Sequence, residues 1–314
     1  MKVLHLDTTH PYFIKELEKI GFINHFDFDS SKLEIEKNVF NYFGIIIRSR
    51  ITIDKKFIDS CTNLKFIARI GSGVENIDVK YANTKQIKII STPKGNANAV
   101  GEHALGLLLS LTNNINSSDK EISNGIWERE LNRGFELKNK TIGLIGYGHT
   151  GKSFAKKLKG FETNTIYYDI KNVKRNKNAD PVSLNTLKNN SDVISLHTSL
   201  TKQSHNIINN SFINTCKKSF WLINTSRGNC VNTNDLVKGL KTGKVLGAGL
   251  DVLEFEKKSF EKLSTNKIEN DNLKYLINSK KVILTPHIAG WTQESKIKLV
   301  EVALKKIKNL INIK

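Results

Sequence analysis

The chain has 314 residues, of which 39% are hydrophobic and 25% are charged, a composition typical of a globular protein with room for two domains. No apolar run is long enough to cross a bilayer, and the first residues become acidic too early for a signal peptide, so we expect a cytoplasmic protein without a membrane partner. The net charge of +19 is spread along the whole chain, mostly on the polar sides of amphipathic segments, so we predict a solvated basic surface and no nucleic-acid partner.

Cysteine and histidine usage gives no sign of a metal site. Cys61, Cys216 and Cys230 are odd in number and lack the spacing of metal ligands. They indicate free thiols in a reducing compartment. Because the histidines and carboxylates also lack metal-site spacing, we predict that the protein binds no metal.

Strands and helices alternate in the first part of the chain. We predict strands at residues 2–6, 44–48, 64–70 and 87–90, and helices at 11–20 and 52–61. The alternation predicts an α/β domain in which helices cover both faces of a parallel sheet. Residues 97–111 follow as a long, almost wholly apolar helix, which suits a junction between two domains.

A polar segment comes next and can be interpreted in two ways. Residues 117–133 carry many charges and one isolated aromatic residue, Trp127. One interpretation is a projecting arm, around residues 113–137, that contacts a second subunit, because an isolated aromatic residue among charges often anchors an interface. The other is a surface helix with Trp127 folded back onto the protein.

The strand–helix pattern restarts at residue 141 with a glycine-rich turn. An apolar run leads into Gly146, Gly148 and Gly151, a helix-like segment follows, and a second strand ends at Asp169. In a dinucleotide site the first glycine permits the tight turn, the second lets the backbone approach the pyrophosphate, and the third lets the helix pack on the sheet. The acid after the second strand suits the ribose hydroxyls of NAD, which is therefore the predicted cofactor. NADP stays open as the alternative, because three basic residues lie just beyond the acid: Lys171, Lys174 and Arg175.

Further strands are predicted at residues 193–196, 221–224, 245–250 and 281–284, and a final helix at 294–311. The final helix has no obvious place on the second sheet, so we expect it to return to the first domain. In an open α/β sheet, ligands bind beyond the carboxyl ends of the strands. The polar residues at those ends are His197, Thr198, Thr225, Ser226, Arg227, Asp251, Glu254, Glu256 and His287.

These residue types suit hydride transfer at a carbinol carbon. A histidine accepts the hydroxyl proton near neutral pH, and an arginine binds a carboxylate through two parallel hydrogen bonds. A carboxylate beside the histidine favours its charged form and fixes its orientation. On the residues alone, His197 and His287 are both candidates for the base.

Five motifs, in order and at matching intervals, resemble those of the D-isomer-specific 2-hydroxyacid dehydrogenases over nearly the whole chain. They are residues 71–78 (GSGVENID), 146–151 (GYGHTG), 224–228 (NTSRG), 247–252 (GAGLDV) and 285–290 (TPHIAG). The resemblance implies two doubly wound parallel-sheet domains: a discontinuous, flavodoxin-like substrate domain at 1–97 plus 288–314, and a Rossmann NAD-binding domain at 98–287. It also implies a homodimer that acts on a small anionic 2-hydroxy or 2-oxo acid.

The same resemblance implies a role for each site residue. Arg227 binds the 2-oxo acid, His287 is the acid/base, and Glu256 supports it. The backbone N–H groups of Gly71, Ser72 and Gly73 bind the substrate carboxylate. The implied cofactor contacts are Gly146, Gly148, His149, Thr150, Gly151, Asp169, His197, Thr198, Thr225, Ser226, Arg227, Asp251 and His287.

Within the family, the chain is most similar to the D-3-phosphoglycerate dehydrogenases, which implies oxidation of D-3-phosphoglycerate in serine biosynthesis. Arg48, Arg50 and Arg69 are then candidates for binding the phosphate or a second carboxylate. Glyoxylate or hydroxypyruvate reduction and D-lactate dehydrogenation are the alternatives. An NAD(H)-sensing, corepressor-like binding protein is the alternative of another class.

The chain departs from the family pattern around the supporting glutamate. No proline follows Glu256, and an extra polar stretch lies at about 259–272, so Glu254 and Glu261 remain alternative partners for the histidine. Trp291 stands where many relatives have a small residue, and we expect it to reshape the pocket near His287. The chain ends without room for a regulatory amino-acid-binding module, so serine feedback through such a module is not expected.

Overall fold

A computed structural model describes residues 1–256 and 270–312, which form two compact units. The first unit holds residues 1–96 and 291–312, and the second holds residues 97–256 and 270–290. None of the described helices is long and apolar enough to cross a membrane. Within the same ranges, no three His, Cys, Asp or Glu side chains are grouped to hold a metal ion.

The strands and helices follow one another in regular alternation. The strands are β1 (Lys2–His5), β2 (Ile23–Phe26), β3 (Gly44–Ile47), β4 (Phe66–Arg69), β5 (Lys88–Ser91), β6 (Thr141–Ile145), β7 (Asn164–Tyr168), β8 (Asp180–Pro181), β9 (Val193–Leu196), β10 (Phe220–Asn224), β11 (Val245–Leu250) and β12 (Val282–Leu284). The helices are α1 (Pro11–Lys19), α2 (Lys32–Asn38), α3 (Lys55–Asp59), α4 (Val79–Thr84), α5 (Ala97–Thr112), α6 (Ile115–Ser123), α7 (His149–Leu158), α8 (Leu184–Asn190), α9 (Asn210–Thr215), α10 (Thr233–Thr242), α11 (Asp271–Asn278) and α12 (Gln293–Leu310).

The sheet of the first unit is parallel, with the strand order β2-β1-β3-β4-β5. Its middle strand, β3, is buried along its whole length, as expected for a strand covered on both faces. In the register of β3 with β4, Ile47 pairs with Arg69. The residues that follow these two strands therefore lie side by side at the carboxyl edge of the sheet.

Helix α12 completes the core of the first unit, although it comes from the end of the chain. It begins at a capping box formed by Thr292 and Ser295. One face of α12 is buried together with residues of α1 and β5; its buried residues there are Val300, Ala303, Leu304 and Ile307. Their helical spacing explains why the last helix belongs to this unit.

The second unit contains a parallel sheet with the strand order β12-β11-β10-β9-β6-β7-β8. Counted from β6, this is the doubly wound order in which the first strand lies in the middle and the chain winds outward on either side of it. The apolar face of α5 packs on this sheet, with Leu107, Leu108 and Leu111 in the same core as Ile142 and Leu144. The turn after β6 consequently lies at the switch point of the sheet, where ligands bind in such folds.

Candidate active site

The glycine-rich turn after β6 has the geometry that a dinucleotide requires. Gly146 has a φ of +94°, and a Cβ atom there would lie 2.6 Å from the carbonyl oxygen of His197. A Cβ atom on Gly151 would overlap the carbonyl oxygen of Gly146, so this glycine is needed for the close packing of α7. At Gly148, by contrast, a Cβ atom would meet nothing within 4 Å. The space above Gly148 is open, and it lies at the N-terminus of α7, where N–H groups attract a pyrophosphate.

Asp169 lies directly beyond β7 and is fixed by two backbone donors. Its Oδ2 accepts a hydrogen bond from the N–H of Tyr147 (2.7 Å), and its Oδ1 accepts one from the N–H of Lys171 (2.9 Å). Of the basic residues that kept NADP open, Arg175 pairs with Asp180 at 2.7 Å. A negative charge held at this position favours the ribose of NAD over the 2′-phosphate of NADP.

His197 lies buried beneath the glycine turn. Its Nε2 is 2.9 Å from the Oγ of Ser195, and burial lowers its pKa to about 3. An imidazole with so low a pKa is a weak base and is unsuited to accept a substrate proton. Of the two candidate histidines, His197 is therefore the less suitable base. Its Nδ1 and the Oγ1 of Thr225 are buried without a hydrogen-bond partner in the described residues, which is uncommon for buried polar atoms.

Glu256 and His287 form a hydrogen-bonded pair. Glu256 Oε2 is 2.8 Å from His287 Nδ1, and Glu256 Oε1 accepts a hydrogen bond from the N–H of Leu253 (2.6 Å). Glu254 instead accepts a hydrogen bond from the N–H of Thr233 (2.9 Å), at the start of α10. Geometry thus favours Glu256 over Glu254 as the partner of the histidine, whereas Glu261 and most of the extra stretch at 259–272 lie outside the described residues.

The backbone of His287 is left-handed, with a φ of +56°, which is unusual for a residue with a side chain. Its N–H donates to the carbonyl oxygen of Asp251 (2.8 Å). The carboxylate of Asp251 accepts hydrogen bonds from the N–H groups of Ile288 and Ala289, both at 2.8 Å, and from the hydroxyl of Thr285 at 2.6 Å. Asp251, predicted as a cofactor contact, thus holds the turn that carries His287, a role that could not be predicted from the sequence.

Helix α5 adds a second support to the same turn. His103 Nε2 lies 3.0 Å from the Oγ1 of Thr285 and 3.5 Å from the Oδ1 of Asp251. The side chain of His103 thus reaches from α5 to the base of the turn that carries His287. It was missed as a supporting residue because its helix looks like plain core in the sequence.

Arg227 is placed by a loop that Asn224 folds. Asn224 is fully buried; its Oδ1 accepts hydrogen bonds from the N–H and hydroxyl of Ser226, and its Nδ2 donates to the carbonyl oxygen of Arg227. A Cβ atom on Gly228 would overlap the carbonyl group of Leu253. This close approach brings the loop of Arg227 against the loop that carries Glu256. The candidate catalytic residues therefore lie on adjoining loops at one edge of the second sheet.

The remaining candidate cofactor contacts surround the same edge. His149 and Thr150 form the first turn of α7, and Thr198 follows β9. His149 is exposed, whereas Thr150 and Thr198 are half-buried. These positions fit the predicted roles, which stay predictions for each side chain.

In the first unit, Arg48 and Arg69 lie at the carboxyl edge beside the glycine loop 71–73. The Arg69 guanidinium lies over Gly71, where a Cβ atom would overlap it. The hydroxyl of Ser72 donates to Asn96 Oδ1 (2.9 Å), which holds the loop. The N–H of Gly71, predicted to bind the substrate carboxylate, donates instead to the carbonyl oxygen of Arg69 (2.9 Å), so the loop contributes at most the N–H groups of Ser72 and Gly73. Together with the two cationic groups on the same sheet edge, these donors suit an anionic ligand.

Arg50 has a different environment from the other two arginines. Its guanidinium donates to three backbone carbonyl oxygens, those of Leu6 (2.7 Å), Ser30 (2.7 Å) and Asp27 (2.9 Å). These bonds tie together the loops after β1, β2 and β3. For Arg50 the geometry favours a structural role over the substrate contact predicted from its sequence position.

Comparison with known proteins agrees with this geometry. Residues 105–289 match the D-isomer specific 2-hydroxyacid dehydrogenase, NAD binding domain. A glyoxylate reductase of Thermofilum pendens is 35% identical over 289 residues, which cover 90% of this chain and 82% of that protein. A D-3-phosphoglycerate dehydrogenase of Archaeoglobus fulgidus is 33% identical over 99% of this chain, which spans 57% of the length of that relative.

A solved structure extends the similarity to the whole fold. The D-lactate dehydrogenase of Aquifex aeolicus, complexed with NAD and lactic acid, has a TM-score of 0.84 to this chain at 26% identity. The superposition covers 99% of this chain and 96% of that one. Both sheets and their flanking helices therefore have counterparts in a protein of known structure.

Proposed function

The chain belongs to the D-isomer specific 2-hydroxyacid dehydrogenase family, and we propose that its substrate pair is D-3-phosphoglycerate and 3-phosphohydroxypyruvate. Membership of the family makes the protein an NAD-dependent oxidoreductase. The observation that supports the phosphorylated substrate is the pair of guanidinium groups, Arg48 and Arg69, at the sheet edge that carries the glycine loop. A phosphate or a second carboxylate on the substrate suits this pair of guanidinium groups.

We assign proton transfer to His287. When bound, NAD supplies the acceptor for the hydride that leaves C2 of the hydroxy acid. The hydrogen bond from His287 Nδ1 to Glu256 fixes the ring, so that Nε2 accepts the hydroxyl proton. Glu256 stabilises the imidazolium that forms, because an opposite charge within hydrogen-bond distance favours the charged histidine. In the reductive direction the same proton returns to the substrate oxygen.

We assign the substrate carboxylate to Arg227. A guanidinium offers two parallel N–H donors to a carboxylate and holds it in one orientation. The loop of Arg227 is fixed by Asn224 and by the packing of Gly228, so little order remains to be gained on binding. The role of this residue is to orient C2 and to polarise the oxo group.

Reduction of glyoxylate or hydroxypyruvate is the second candidate function. It is supported by the 35% identity with the glyoxylate reductase, of which this chain covers 82%. The D-lactate dehydrogenase whose fold is shared supports a third candidate in the same reaction class. All three reactions use the same catalytic residues and differ in the group attached to C2.

We further propose that the enzyme acts as a homodimer in the cytoplasm. The arm at 113–137 carries exposed apolar side chains, among them Trp127 (83% exposed) and Leu131 (79% exposed). Exposed apolar residues grouped in this way are typical of a protein–protein contact. The three cysteines are free thiols, which agrees with a reducing compartment.

A panel of four oxo acids tests the substrate. NADH consumption is measured with 3-phosphohydroxypyruvate, hydroxypyruvate, glyoxylate and pyruvate, and then repeated with NADPH. We expect the highest kcat/KM with 3-phosphohydroxypyruvate, and higher rates with NADH than with NADPH. Hydroxypyruvate differs from the first substrate only by the phosphate, so an equal or higher kcat/KM for hydroxypyruvate would reject the proposal in favour of the second candidate.

A further inference from the structure

Trp291 lies against the guanidinium of Arg48 in the first unit. The Cζ atom of Arg48 is 4.2 Å from the centroid of the indole ring, the distance of a cation–π contact. The Nζ of Lys296 lies farther from the same centroid, at 5.8 Å. Trp291 is 53% exposed, so burial in the core does not explain its position. Of the two cations near its ring, Arg48 is the closer.

Both partners extend from anchored backbone. The Oδ2 of Asp7 accepts hydrogen bonds from the N–H groups of Arg48 (2.6 Å) and Ser49 (3.1 Å). Trp291 directly precedes Thr292, which caps α12 by its reciprocal hydrogen bonds with Ser295. The stack therefore joins two fixed points of the first unit, and it holds the long Arg48 side chain in one orientation.

The contact with Trp291 also limits where Arg48 can bind an anion. The indole occupies one side of the guanidinium, with the ring centroid 4.2 Å from Cζ, and the N–H donors of a guanidinium point outward in its own plane. Arg48 is partly buried, which lowers the pKa of its guanidinium, and nearby Asp7 acts in the opposite direction. A partly buried guanidinium suits an oxyanion with two oxygens in one plane, such as a phosphate or carboxylate.

We propose that Trp291 is a positioning residue that holds Arg48 for the distal anionic group of the substrate. The inference rests on the proposed function. It adds the residue that sets selectivity for the distal anionic group of the substrate. The substrate class is a 2-hydroxy or 2-oxo acid with a second anionic group at C3 or beyond. Arg48 forms the contact with that group, and Trp291 acts through Arg48.

Two substitutions of Trp291 distinguish the contribution of its aromatic face from that of its apolar bulk. Trp291→Leu keeps an apolar side chain but removes the π face, whereas Trp291→Phe keeps a smaller π face. Lys296→Ala is the matched control, because it removes the other cation near the same ring. Each variant is assayed with NADH and 3-phosphohydroxypyruvate, 2-oxoglutarate or hydroxypyruvate; the first two have a distal anion and the third has none.

We expect Trp291→Leu to raise KM for the preferred distal-anion substrate about tenfold, with kcat changed less than about threefold. KM for hydroxypyruvate stays within about twofold of the wild-type value. Trp291→Phe restores most of the loss, and Lys296→Ala behaves like the wild type. Thermal unfolding midpoints of all variants are expected within about 2 °C of one another, because Trp291 is not a core residue.

The outcomes separate this inference from the proposed substrate. If the wild type prefers 2-oxoglutarate to 3-phosphohydroxypyruvate, the proposed substrate is wrong, yet a selective rise of KM for 2-oxoglutarate in Trp291→Leu still supports the role of Trp291. Equal effects of Trp291→Leu on substrates with and without the distal anion, or no effect on either, overturn that role. If the wild-type kcat/KM is no higher for the two substrates with a distal anion than for hydroxypyruvate, both the proposed substrate and the role of Trp291 are overturned.

Discussion

At the scale of single residues, the proposed proton acceptor has the least favourable backbone of the site. A left-handed residue with a side chain costs on the order of 1–3 kcal/mol. The φ of +56° at His287 persists because Asp251 binds the two following N–H groups and the hydroxyl of Thr285. Asp251 is almost completely buried, so these charge-assisted bonds are formed away from water. The aspartate thus stabilises the conformation that presents the imidazole.

The pairing of Glu256 with His287 predicts a clear contrast between two glutamates. Glu256→Gln removes the charge that stabilises the imidazolium, so kcat is expected to fall about 10- to 100-fold, whereas His287→Ala lowers it by about 10²–10⁴. NADH affinity stays close to wild type in both. Glu254→Gln is the matched control, since Glu254 binds the start of α10, and it is expected to keep most of the activity. Steady-state assays measure kcat, and NADH titration measures cofactor affinity. Equal losses of kcat in Glu254→Gln and Glu256→Gln would contradict the pairing of Glu256 with His287.

The buried neutral His197 predicts a loss of stability in acid. Its pKa is about 3 in the folded protein because of burial, against 6.5 for an ordinary histidine. Between these values the unfolded chain binds a proton that the folded chain does not, so stability is complete above about pH 6.5 and falls as the pH is lowered towards 3. Over this range His197 alone lowers the free energy of unfolding by about 1.4 kcal/mol for each pH unit.

Replacement of His197 by glutamine tests this. In urea unfolding between pH 7 and 4.5, His197→Gln should show a smaller loss of unfolding free energy per pH unit than the wild type. His205→Gln, at an exposed position, serves as the control and should keep the wild-type slope. An unchanged slope in His197→Gln would mean that this histidine titrates normally in the folded protein.

At the scale of elements, strands with continuous apolar sequence were predicted well. The predicted strands 193–196 and 245–250 coincide with β9 and β11. Parallel strands that are buried on both faces are nearly continuous apolar runs, so their ends are easy to locate in the sequence. Strand β2 was missed, since its sequence INHF is short and polar and its side chains are partly exposed at the sheet edge. The sequence of the arm allows two interpretations, a projecting arm or a surface helix with Trp127 folded back. In the structure the arm contains a helix, α6, and Trp127 is 83% exposed rather than folded back.

The turn between β6 and α7 predicts different effects on stability for substitutions at two neighbouring glycines. At Gly148 an added methyl group meets no protein atom, so Gly148→Ala should leave the thermal unfolding midpoint nearly unchanged but weaken NADH binding about tenfold or more. At Gly146 the φ of +94° and the His197 carbonyl oppose any side chain, so Gly146→Ala should lower both stability and affinity. Differential scanning fluorimetry and NADH titration measure the two effects. Unchanged affinity in a stable Gly148→Ala protein would contradict pyrophosphate binding at this turn.

At the scale of the whole molecule, the sequence predicted both sheets and the return of the last helix, because these follow from apolar patterns. The contacts between residues of the candidate site could not be predicted from the sequence in the same way. Arg50 shows the limit: its place after β3 suggested a ligand contact, yet its guanidinium is used by three carbonyl oxygens of its own unit. Such partners come from loops far apart in the sequence, so spacing alone does not reveal them.

The arm at 113–137 gives the prediction that concerns assembly. It is anchored to its own unit by Glu121, whose carboxylate accepts a hydrogen bond from Lys280 (2.7 Å), and Asn132 within the arm donates to the same carboxylate (2.5 Å). Several apolar side chains of the arm are exposed, and burying them against a second copy would favour a dimer. Trp127 and Leu131 are the most exposed of them.

The double variant Trp127→Ser, Leu131→Ser should therefore shift the protein from dimer to monomer at micromolar concentration, as measured by light scattering after size exclusion. Leu33→Ser is the matched control, because Leu33 is a comparably exposed leucine (61%) on α2, outside the arm. Since both exposed sites lack core contacts, the thermal unfolding of an isolated subunit changes little in either variant. A wild-type protein that is monomeric at these concentrations, or a dimer that survives the double substitution, would show that the arm is not the subunit contact.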